Sequence, residues 1–497
     1  SPIYNTHLMS SKAIIIGSGI GGIATAIRLA CLGYEVTVFE KNAFAGGKLS
    51  SFSLGDYRFD LGPSLFTMPQ FVDALFELAG ENPRDHFNYK RKSVGCQYFW
   101  EDGTTLKAFG DTNAFFEEVE KQLHVPKIRL QKYLDKAAMK YNRTKVLFLE
   151  QSLHKWQTYL STDTLKGIAK LFAYELETSL HKVNQKQLQE PHLVQFYDRF
   201  ATYNGSDPYQ TPGMMTLIQH LEQHYGTYVP DKGMVDITNS LVALAQRKGV
   251  NFEYNTSVER IVVENGRALG VEVSEKLHTA DVVVSNMDVV PTYRHLLSDQ
   301  PAPERTLRQE RSSSAVIFYW GMAKSFPELD LHNIFFSDDY KSEFEAIFSK
   351  KTLSDDPTIY VNITAKDVAA DAPKGKENWF VMINAPHDDG QDWDALVARL
   401  RKQVLEKLDR HLHSDLETHI EEEYIMTPPI IAEKTHSFKG ALYGAASNNR
   451  MAAFLRHPNF SRKISNLYFC GGSVHPGGGI PLCLLSAKIV ADLVQKQ

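Results

Sequence analysis

The sequence predicts an α/β fold built on a parallel sheet, with insertions of α+β character. Two passages carry this prediction, one at each end of the 497-residue chain. Near the N-terminus, a β-branched run at residues 13–16 precedes a glycine turn, a helix and a second strand that ends at Glu40. Near the C-terminus, a strand at residues 466–470 precedes a glycine-rich turn and a helix beginning at Ile480. Continuous apolar strands followed by a turn and a helix are typical of a doubly wound parallel sheet.

Composition excludes several classes of protein. The 54 Lys and Arg residues against 59 Asp and Glu residues leave a net charge of −5, whereas nucleic-acid binders concentrate basic charge. The four cysteines have no paired spacing, so we expect neither a disulfide framework nor a zinc site, and no other metal-ligand cluster is found. No run of 18 apolar residues occurs. Met9 reads as a natural start, and the domain assignment therefore begins there.

The first glycine turn has the spacing Gly17-x-Gly19-x-x-Gly22, which binds pyrophosphate when it follows a strand and opens a helix. The first glycine permits the tight turn, the second lets the phosphates approach the backbone, and the third lets the helix pack closely on the strand. Glu40 ends the second predicted strand, where a carboxylate can accept hydrogen bonds from ribose hydroxyl groups. This passage predicts a bound dinucleotide.

Three further segments identify the dinucleotide by resemblance. They are residues 41–48, which end in Gly46-Gly47-Lys48; residues 59–64, which end in Gly62-Pro63-Ser64; and residues 466–481, which end in Gly477-Gly478-Gly479-Ile480-Pro481. A nicotinamide enzyme needs none of them. Together they resemble the two-part FAD site of the flavoprotein amine oxidase superfamily, and more closely that of the bacterial phytoene desaturase-type carotenoid desaturases. The resemblance covers nearly the whole chain from Met9.

The resemblance implies FAD as the cofactor and a role for each matching residue. The first glycine turn would hold the pyrophosphate, Glu40 the adenosine ribose, Val258 the adenine, and the C-terminal turn the pyrophosphate and the isoalloxazine ring. The cofactor-binding residues that it implies are Gly17, Gly19, Ile20, Gly22, Glu40, Lys41, Gly46, Gly47, Lys48, Gly62, Pro63, Ser64, Val258, Gly471, Gly472, Gly479, Ile480 and Pro481.

Two segments favour one branch of this family. Residues 63–69 (Pro-Ser-Leu-Phe-Thr-Met-Pro) and 200–209 are similar to the 1-hydroxycarotenoid 3,4-desaturase branch. The implied activity is the introduction of the C3–C4 double bond by hydride transfer to the flavin. The alternatives are a phytoene desaturase, a carotenoid isomerase or a carotenoid oxygenase of the same family. An amine or porphyrinogen oxidase, or a non-enzymatic escort protein for prenyl lipids, would share the fold.

Acid–base groups are sparse in this interpretation, because the cofactor carries the redox chemistry. The candidate catalytic residues are His475, in the C-terminal turn, and the neighbouring Asp198 and Arg199. The structural alternatives are that His475 supports its loop and that Asp198 and Arg199 form an ion pair. The terminal electron acceptor, oxygen or a quinone, is left open.

We predict a Rossmann-type FAD-binding domain from residues 9–85, 226–300 and 426–497, with an interleaved substrate-binding domain from residues 86–225 and 301–425. Within the latter, residues 132–187 contain ten Lys and Arg against five Asp and Glu, among bulky apolar residues. This composition is typical of two kinds of helix: one that lies on an anionic membrane surface, and an amphipathic helix with a solvated basic face. A carotenoid substrate resides in the bilayer, and this favours the first interpretation. We therefore expect a cytoplasmic protein, peripheral to the inner face of the cytoplasmic membrane.

Overall fold

The computed structural model describes residues 10–145, 177–213, 226–446, 448 and 456–497, apart from the side chains of residues 143–145 and 204. Its strands are β1 (Lys12–Ile16), β2 (Glu35–Phe39), β3 (Ser51–Leu54), β4 (Tyr57–Asp60), β5 (Tyr89–Arg91), β6 (Val94–Phe99), β7 (Thr105–Phe109), β8 (Tyr228–Pro230), β9 (Asn251–Glu253), β10 (Arg260–Glu264), β11 (Arg267–Val273), β12 (Lys276–Thr279), β13 (Val282–Ser285), β14 (Ser314–Met322), β15 (His332–Phe335), β16 (Ile359–Ile363), β17 (Glu377–Ala385), β18 (Ile420–Met426) and β19 (Leu467–Phe469).

Within those described ranges, the helices of eight or more residues are α1 (Ile20–Cys31), α2 (Gln70–Leu78), α3 (Thr112–Leu123), α4 (Lys127–Lys145), α5 (Leu180–Leu188), α6 (Pro191–Asp198), α7 (Val235–Arg247), α8 (Trp393–Leu412), α9 (Pro428–Thr435) and α10 (Ile480–Gln495).

The first of two large sheets is parallel and has five strands, in the order β9-β2-β1-β13-β19. Alternate residues of β1 face opposite sides because side chains alternate along a strand. Ala13 and Ile15 pack against α1, α2, α7 and α10, whereas Ile14 and Ile16 pack against the small antiparallel sheet β10-β11-β12. This sandwich explains why β1 is an unbroken apolar run.

The second large sheet is mixed and has seven strands, in the order β18-β14-β17-β16-β15-β6-β7. All of its pairs are antiparallel except β15 with β6. Helix α8 covers one face, where Val316, Phe318 and Trp320 of β14 are buried. The other face, which presents Ile317 and Tyr319, turns toward α3, α4 and α6.

The predicted fold class is confirmed, and most predicted elements occur within one or two residues of their predicted bounds. A turn at Asn265-Gly266 joins β10 to β11 and has positive φ at both residues, 52° and 72°, as a tight hairpin requires. Strand β10 begins at Arg260, so Val258, which the resemblance places at the adenine, precedes the strand. The division into domains stays a prediction.

The basic segment predicted at residues 132–187 lies partly outside the described residues, which omit 146–176. Its described parts are residues 132–145, which form most of α4, and residues 177–187, which include most of α5. In the part of the chain that the structure describes, no helix is both long enough and apolar enough to cross a membrane.

Candidate functional site

The order of the parallel sheet locates the site. Its strands run 3-2-1-4-5 when numbered along the chain, so the connections reverse direction between β1 and β13. Ligands of open α/β sheets bind at such a switch point, beyond the carboxyl ends of the strands. Gly17 follows β1, Glu40 follows β2, and Asn286 follows β13 at this same edge.

Glu40 is buried and holds the first glycine turn in place. One of its carboxylate oxygens accepts hydrogen bonds from the Ser18 backbone N–H (3.0 Å) and from the Ser18 hydroxyl (2.6 Å). The other accepts from the Asn42 N–H at 2.8 Å. A carboxylate offers about four acceptor positions, so one remains for a ligand hydroxyl group.

The loop after Glu40 packs onto the first turn. The Gly46 N–H donates to the Ser18 carbonyl at 2.7 Å, and Gly46 has a φ of +106° that a side chain rarely adopts. The Lys48 ammonium donates to the Leu442 carbonyl at 2.7 Å. Burial lowers the pKa of Lys48, which the negative charge of Asp288 partly offsets. Lys48 therefore places its amino group in a weakly hydrated site, where a bound anionic group would favour the protonated form.

The C-terminal glycine turn lies against the N-terminal one. A Cβ atom placed on Gly21 would lie 3.1 Å from the backbone of Gly471. The Asn286 side chain lies between the turns: its Nδ2 would be 2.6 Å from a Cβ on Gly19, and its Oδ1 2.6 Å from a Cβ on Gly471. The two glycine turns, more than 400 residues apart in the sequence, therefore form one surface.

One continuous cavity of about 920 Å³ joins this surface to the inner face of the seven-stranded sheet. Every predicted cofactor-binding residue except Gly22 lines it. Gly22 is instead packed against the strand, because a Cβ there would lie 2.2 Å from the Gly17 carbonyl oxygen. The far part of the cavity has apolar and aromatic walls, formed by Phe196, Phe200, Ile317, Ile334, Phe380 and Met382.

The predicted pair Asp198–Arg199 is split between two environments. Asp198 is buried away from the cavity, where its carboxylate bonds to His181 Nδ1 (2.7 Å) and accepts from Asn184 (2.9 Å). Burial raises its pKa, and the hydrogen bond to His181 opposes that shift. Arg199 lines the cavity, donates to the Tyr203 hydroxyl, and lies 6.0 Å from the ring centroid of Tyr360. Only Arg199 is positioned to meet a bound molecule.

His475 is 3% exposed and does not line the cavity. Its backbone N–H donates to the His457 carbonyl at 3.0 Å, and its carbonyl accepts from Asn459 at 2.7 Å. These contacts hold the C-terminal turn in place. They favour the structural alternative for His475, support of its loop, over a part in catalysis.

Among the residues of the site that the sequence did not predict are Asn286, His332 and Tyr360. Asn286 directly follows a buried strand, Val282–Ser285. Because the carboxyl ends of parallel strands meet at the ligand-binding edge of a sheet, this position could have identified Asn286 as a site residue. His332 and Tyr360 belong to antiparallel strands of the second sheet and become neighbours only through its pairing. A single sequence carries no short-range signal for them.

The residues present fit FAD. Glycine backbone at the start of two helices, α1 and α10, suits a pyrophosphate, since helix N-termini attract anions. The remaining acceptor position of Glu40 suits a ribose hydroxyl, and the amino group of Lys48 lines the same cavity. A side chain on Gly19 or Gly21 would collide with Asn286, which keeps the cradle open.

Comparisons with known proteins agree with this geometry. The model of the family described as flavin containing amine oxidoreductase matches residues 20–495. The 1-hydroxycarotenoid 3,4-desaturase of Flavobacterium sp. (strain P99-3) is 56% identical over 97% of this chain and 99% of its own length. The 4,4'-diapolycopene oxygenase of Methylomonas sp. is 34% identical over 98% of each chain.

A solved structure supports the fold alone. An oxidoreductase from Methanosarcina mazei superposes with a TM-score of 0.63 at 17% identity, and the match covers 98% of this chain and 100% of the other. The family match and the two relatives confirm the predicted resemblance and the flavin cofactor. This chain belongs to the flavin-containing amine oxidoreductase family.

Proposed function

We propose that this protein is an FAD-dependent carotenoid desaturase that introduces the C3–C4 double bond of a 1-hydroxycarotenoid. The observation that carries the proposal is the single cavity that joins the cofactor surface to an apolar chamber. A long polyene needs apolar walls with few polar points, next to the redox group. The 56% identity to a desaturase of this name supports the choice of substrate.

FAD, when bound, supplies the acceptor for the hydride that leaves an allylic carbon of the substrate. The positive charge that remains is delocalised along the conjugated polyene, and loss of a proton from the adjacent carbon completes the double bond. The chain's own part is to align one bond and exclude water. Phe196, Phe200 and Phe380 form walls for this purpose, and Lys48 lies where a cation can offset negative charge.

An anaerobic absorbance experiment tests the proposal. A 1-hydroxycarotenoid in liposomes should bleach the flavin of the FAD-loaded protein while the polyene spectrum shifts to longer wavelength. If only phytoene bleaches the flavin, the protein is still a desaturase, but the 1-hydroxycarotenoid is not its substrate. A properly bound flavin that neither polyene reduces would reject desaturation, and reduction by an amine would point to the amine oxidase alternative.

We also propose that the protein binds the membrane surface peripherally, through α4. This helix carries seven Lys and Arg against one Asp. Ile128, Lys132 and Lys136 are spaced four residues apart and are all exposed, so they share one face. A row of exposed cations beside an apolar side chain that is 64% exposed matches an anionic lipid surface.

Vesicle flotation tests this surface. The FAD-loaded protein should float with anionic vesicles at low salt, and Lys132→Glu with Lys136→Glu should weaken that binding several-fold. Lys374→Glu with Lys402→Glu, at exposed positions outside α4, makes the same charge change and should leave binding largely intact. Equal loss in both double variants would show a general charge effect instead of a binding face.

A further inference from the structure

A small polar cluster interrupts the apolar chamber. The Tyr360 hydroxyl lies 2.8 Å from the Ser64 hydroxyl and 2.5 Å from His332 Nδ1. Asn362 Nδ2 lies 3.4 Å from the same His332 nitrogen. His332 and Tyr360 are both buried, and Ser64, His332 and Tyr360 all line the cavity. The cluster belongs to the surface that a polyene would contact.

The hydrogen bonds define which ring nitrogen carries the proton. An amide N–H₂ group can only donate, so Asn362 approaches His332 Nδ1 as a donor. Nδ1 therefore accepts, from Asn362 and from the Tyr360 hydroxyl, and the proton of a neutral ring is on Nε2. Burial and the nearby charge of Arg199 lower the pKa of His332 to about 3, so the ring is neutral at pH 7.

His332 Nε2 is buried and has no hydrogen-bond partner among the described residues. A buried donor left unpaired destabilises the folded protein, so such groups are uncommon without a purpose. Because Nδ1 is engaged within the sheet, Nε2 is the ring nitrogen that remains for a ligand. Less than 1 Å² of this nitrogen is exposed, so a hydroxyl group reaches it only when the ring or the wall beside it shifts. It offers one neutral N–H donor near the Arg199 guanidinium, in a chamber whose remaining walls are largely apolar.

We propose that His332 Nε2 donates a hydrogen bond to the hydroxyl oxygen of the substrate and thereby selects hydroxylated carotenoids. This inference rests on the proposed function. In a 1-hydroxycarotenoid, the hydroxyl-bearing carbon is two bonds from C3, so the group that binds the hydroxyl must lie near the cofactor.

The chain of contacts meets that requirement. Ser64 follows Gly62, and a Cβ on Gly62 would lie 2.7 Å from the Lys48 carbonyl oxygen. Lys48 in turn belongs to the loop that packs on the first glycine turn. The hydrogen bonds of Tyr360 with Ser64 and His332 therefore link His332 to the loop that carries Lys48 at the cofactor surface. Tyr360 is a positioning residue here, because its hydroxyl engages Nδ1 and leaves Nε2 as the donor.

The test compares two polyenes: a 1-hydroxycarotenoid and the matched 1,2-dihydrocarotenoid, in which hydrogen replaces the hydroxyl group. Both are measured for binding, by the polyene absorbance shift, and for anaerobic flavin bleaching. The FAD-loaded protein should bind the hydroxylated polyene about 10- to 100-fold more tightly than the other. His332→Phe should bring this ratio of affinities close to one, chiefly by weakening the binding of the hydroxylated substrate.

Further variants separate selectivity from folding. His332→Gln keeps an N–H donor and should retain part of the preference. His387→Gln, at a buried histidine that does not line the cavity, should retain all of it. If His332→Phe fails to bind FAD, Tyr360→Phe replaces it, and the preference should fall by about three- to tenfold because Nδ1 loses the shorter of its two hydrogen bonds.

The outcomes distinguish this inference from the proposed function. Flavin bleaching by the hydroxylated polyene with an unchanged ratio in FAD-loaded His332→Phe would overturn the role of His332 and leave the desaturase intact. Selective binding that His332→Phe abolishes, without flavin bleaching in the unmodified protein, would uphold the role of His332 and reject the desaturase.

Discussion

At the residue scale, the glycines of the cofactor surface are needed for the close approach of a neighbouring side chain as much as for their backbone conformation. Gly19, Gly21 and Gly471 each leave room for the side chain of Asn286. Gly471 has a φ of +98°, and Gly33, at the end of α1, has an almost equal φ of +96°. A Cβ on Gly33 would meet no atom within 4 Å, whereas one on Gly471 would meet Asn286 at 2.6 Å. The chain thus offers a matched pair that separates backbone strain from steric contact.

Gly471→Ala should abolish or strongly weaken flavin binding, while Gly33→Ala should not. Both variants carry the backbone strain of an alanine at positive φ, about 1–2 kcal/mol in the free energy of unfolding. Only Gly471→Ala displaces Asn286 and thereby both turns. The measurement is the ratio of flavin to protein absorbance after purification. Equal flavin loss in the two variants would show that strain alone, and not the contact, matters.

Glu40→Gln should weaken FAD binding by about 10- to 100-fold. An amide has one acceptor oxygen where the carboxylate has two, so either the Ser18 or the Asn42 N–H loses its partner. The Kd of FAD is measured by titration of the apoprotein with fluorescence detection. Glu253→Gln, at an exposed carboxylate at the end of β9, makes the same change outside the cavity and should not alter the Kd.

At the element scale, the sequence predicted elements that depend on local signals, but not the pairing of strands that are distant in the chain. The elements β1, α1 and β2 follow from apolar runs and glycine spacing, and they agree with the prediction. The strand β15 has four residues and pairs with β6, which lies more than 200 positions earlier. Nothing local specifies that pairing, and so His332 and Tyr360 were not foreseeable, whereas the glycines were.

A buried carboxyl group ties the short helix Tyr340–Phe344 to the start of β16 in the second sheet. Glu343 accepts from the N–H (3.0 Å) and hydroxyl (2.8 Å) of Thr358, and its second oxygen has no partner among the described residues. Burial raises the pKa of Glu343 from 4.5 to about 7, against the opposing effect of the Thr358 hydrogen bonds. The folded protein therefore keeps this proton at a pH where the unfolded chain has released it.

Stability should consequently fall as pH rises from about 4.5 to 7, by up to about 1.4 kcal/mol per pH unit from this group. Glu343→Gln mimics the protonated form and should remove that contribution. Its stability relative to the unmodified protein should increase by about 2 kcal/mol between pH 5 and 7. Urea unfolding at pH 5, 6 and 7 measures this difference. Glu345→Gln, at an exposed position, is the control, and a parallel trend there would contradict the assignment.

At the scale of the whole molecule, the two ends of the chain meet at the cofactor surface. The first turn follows β1 at the N-terminal end and the second precedes α10 at the C-terminal end, and Asn286, near the middle of the sequence, separates them. The same cavity continues to the second sheet. A ligand that fills this surface therefore contacts segments that no local element holds together, so its binding free energy adds to the stability of the assembled fold.

FAD should accordingly raise the melting temperature of the apoprotein in a concentration-dependent way. At 100 times its Kd, FAD adds about 2.7 kcal/mol to the free energy of unfolding. For a chain of 497 residues this corresponds to a rise of about 3 °C. Riboflavin lacks the pyrophosphate and the adenosine that the glycine turns and Glu40 are positioned to bind, and at equal concentration it should give almost no shift. An equal shift with riboflavin would place the binding energy on the isoalloxazine ring and remove the two turns from cofactor recognition.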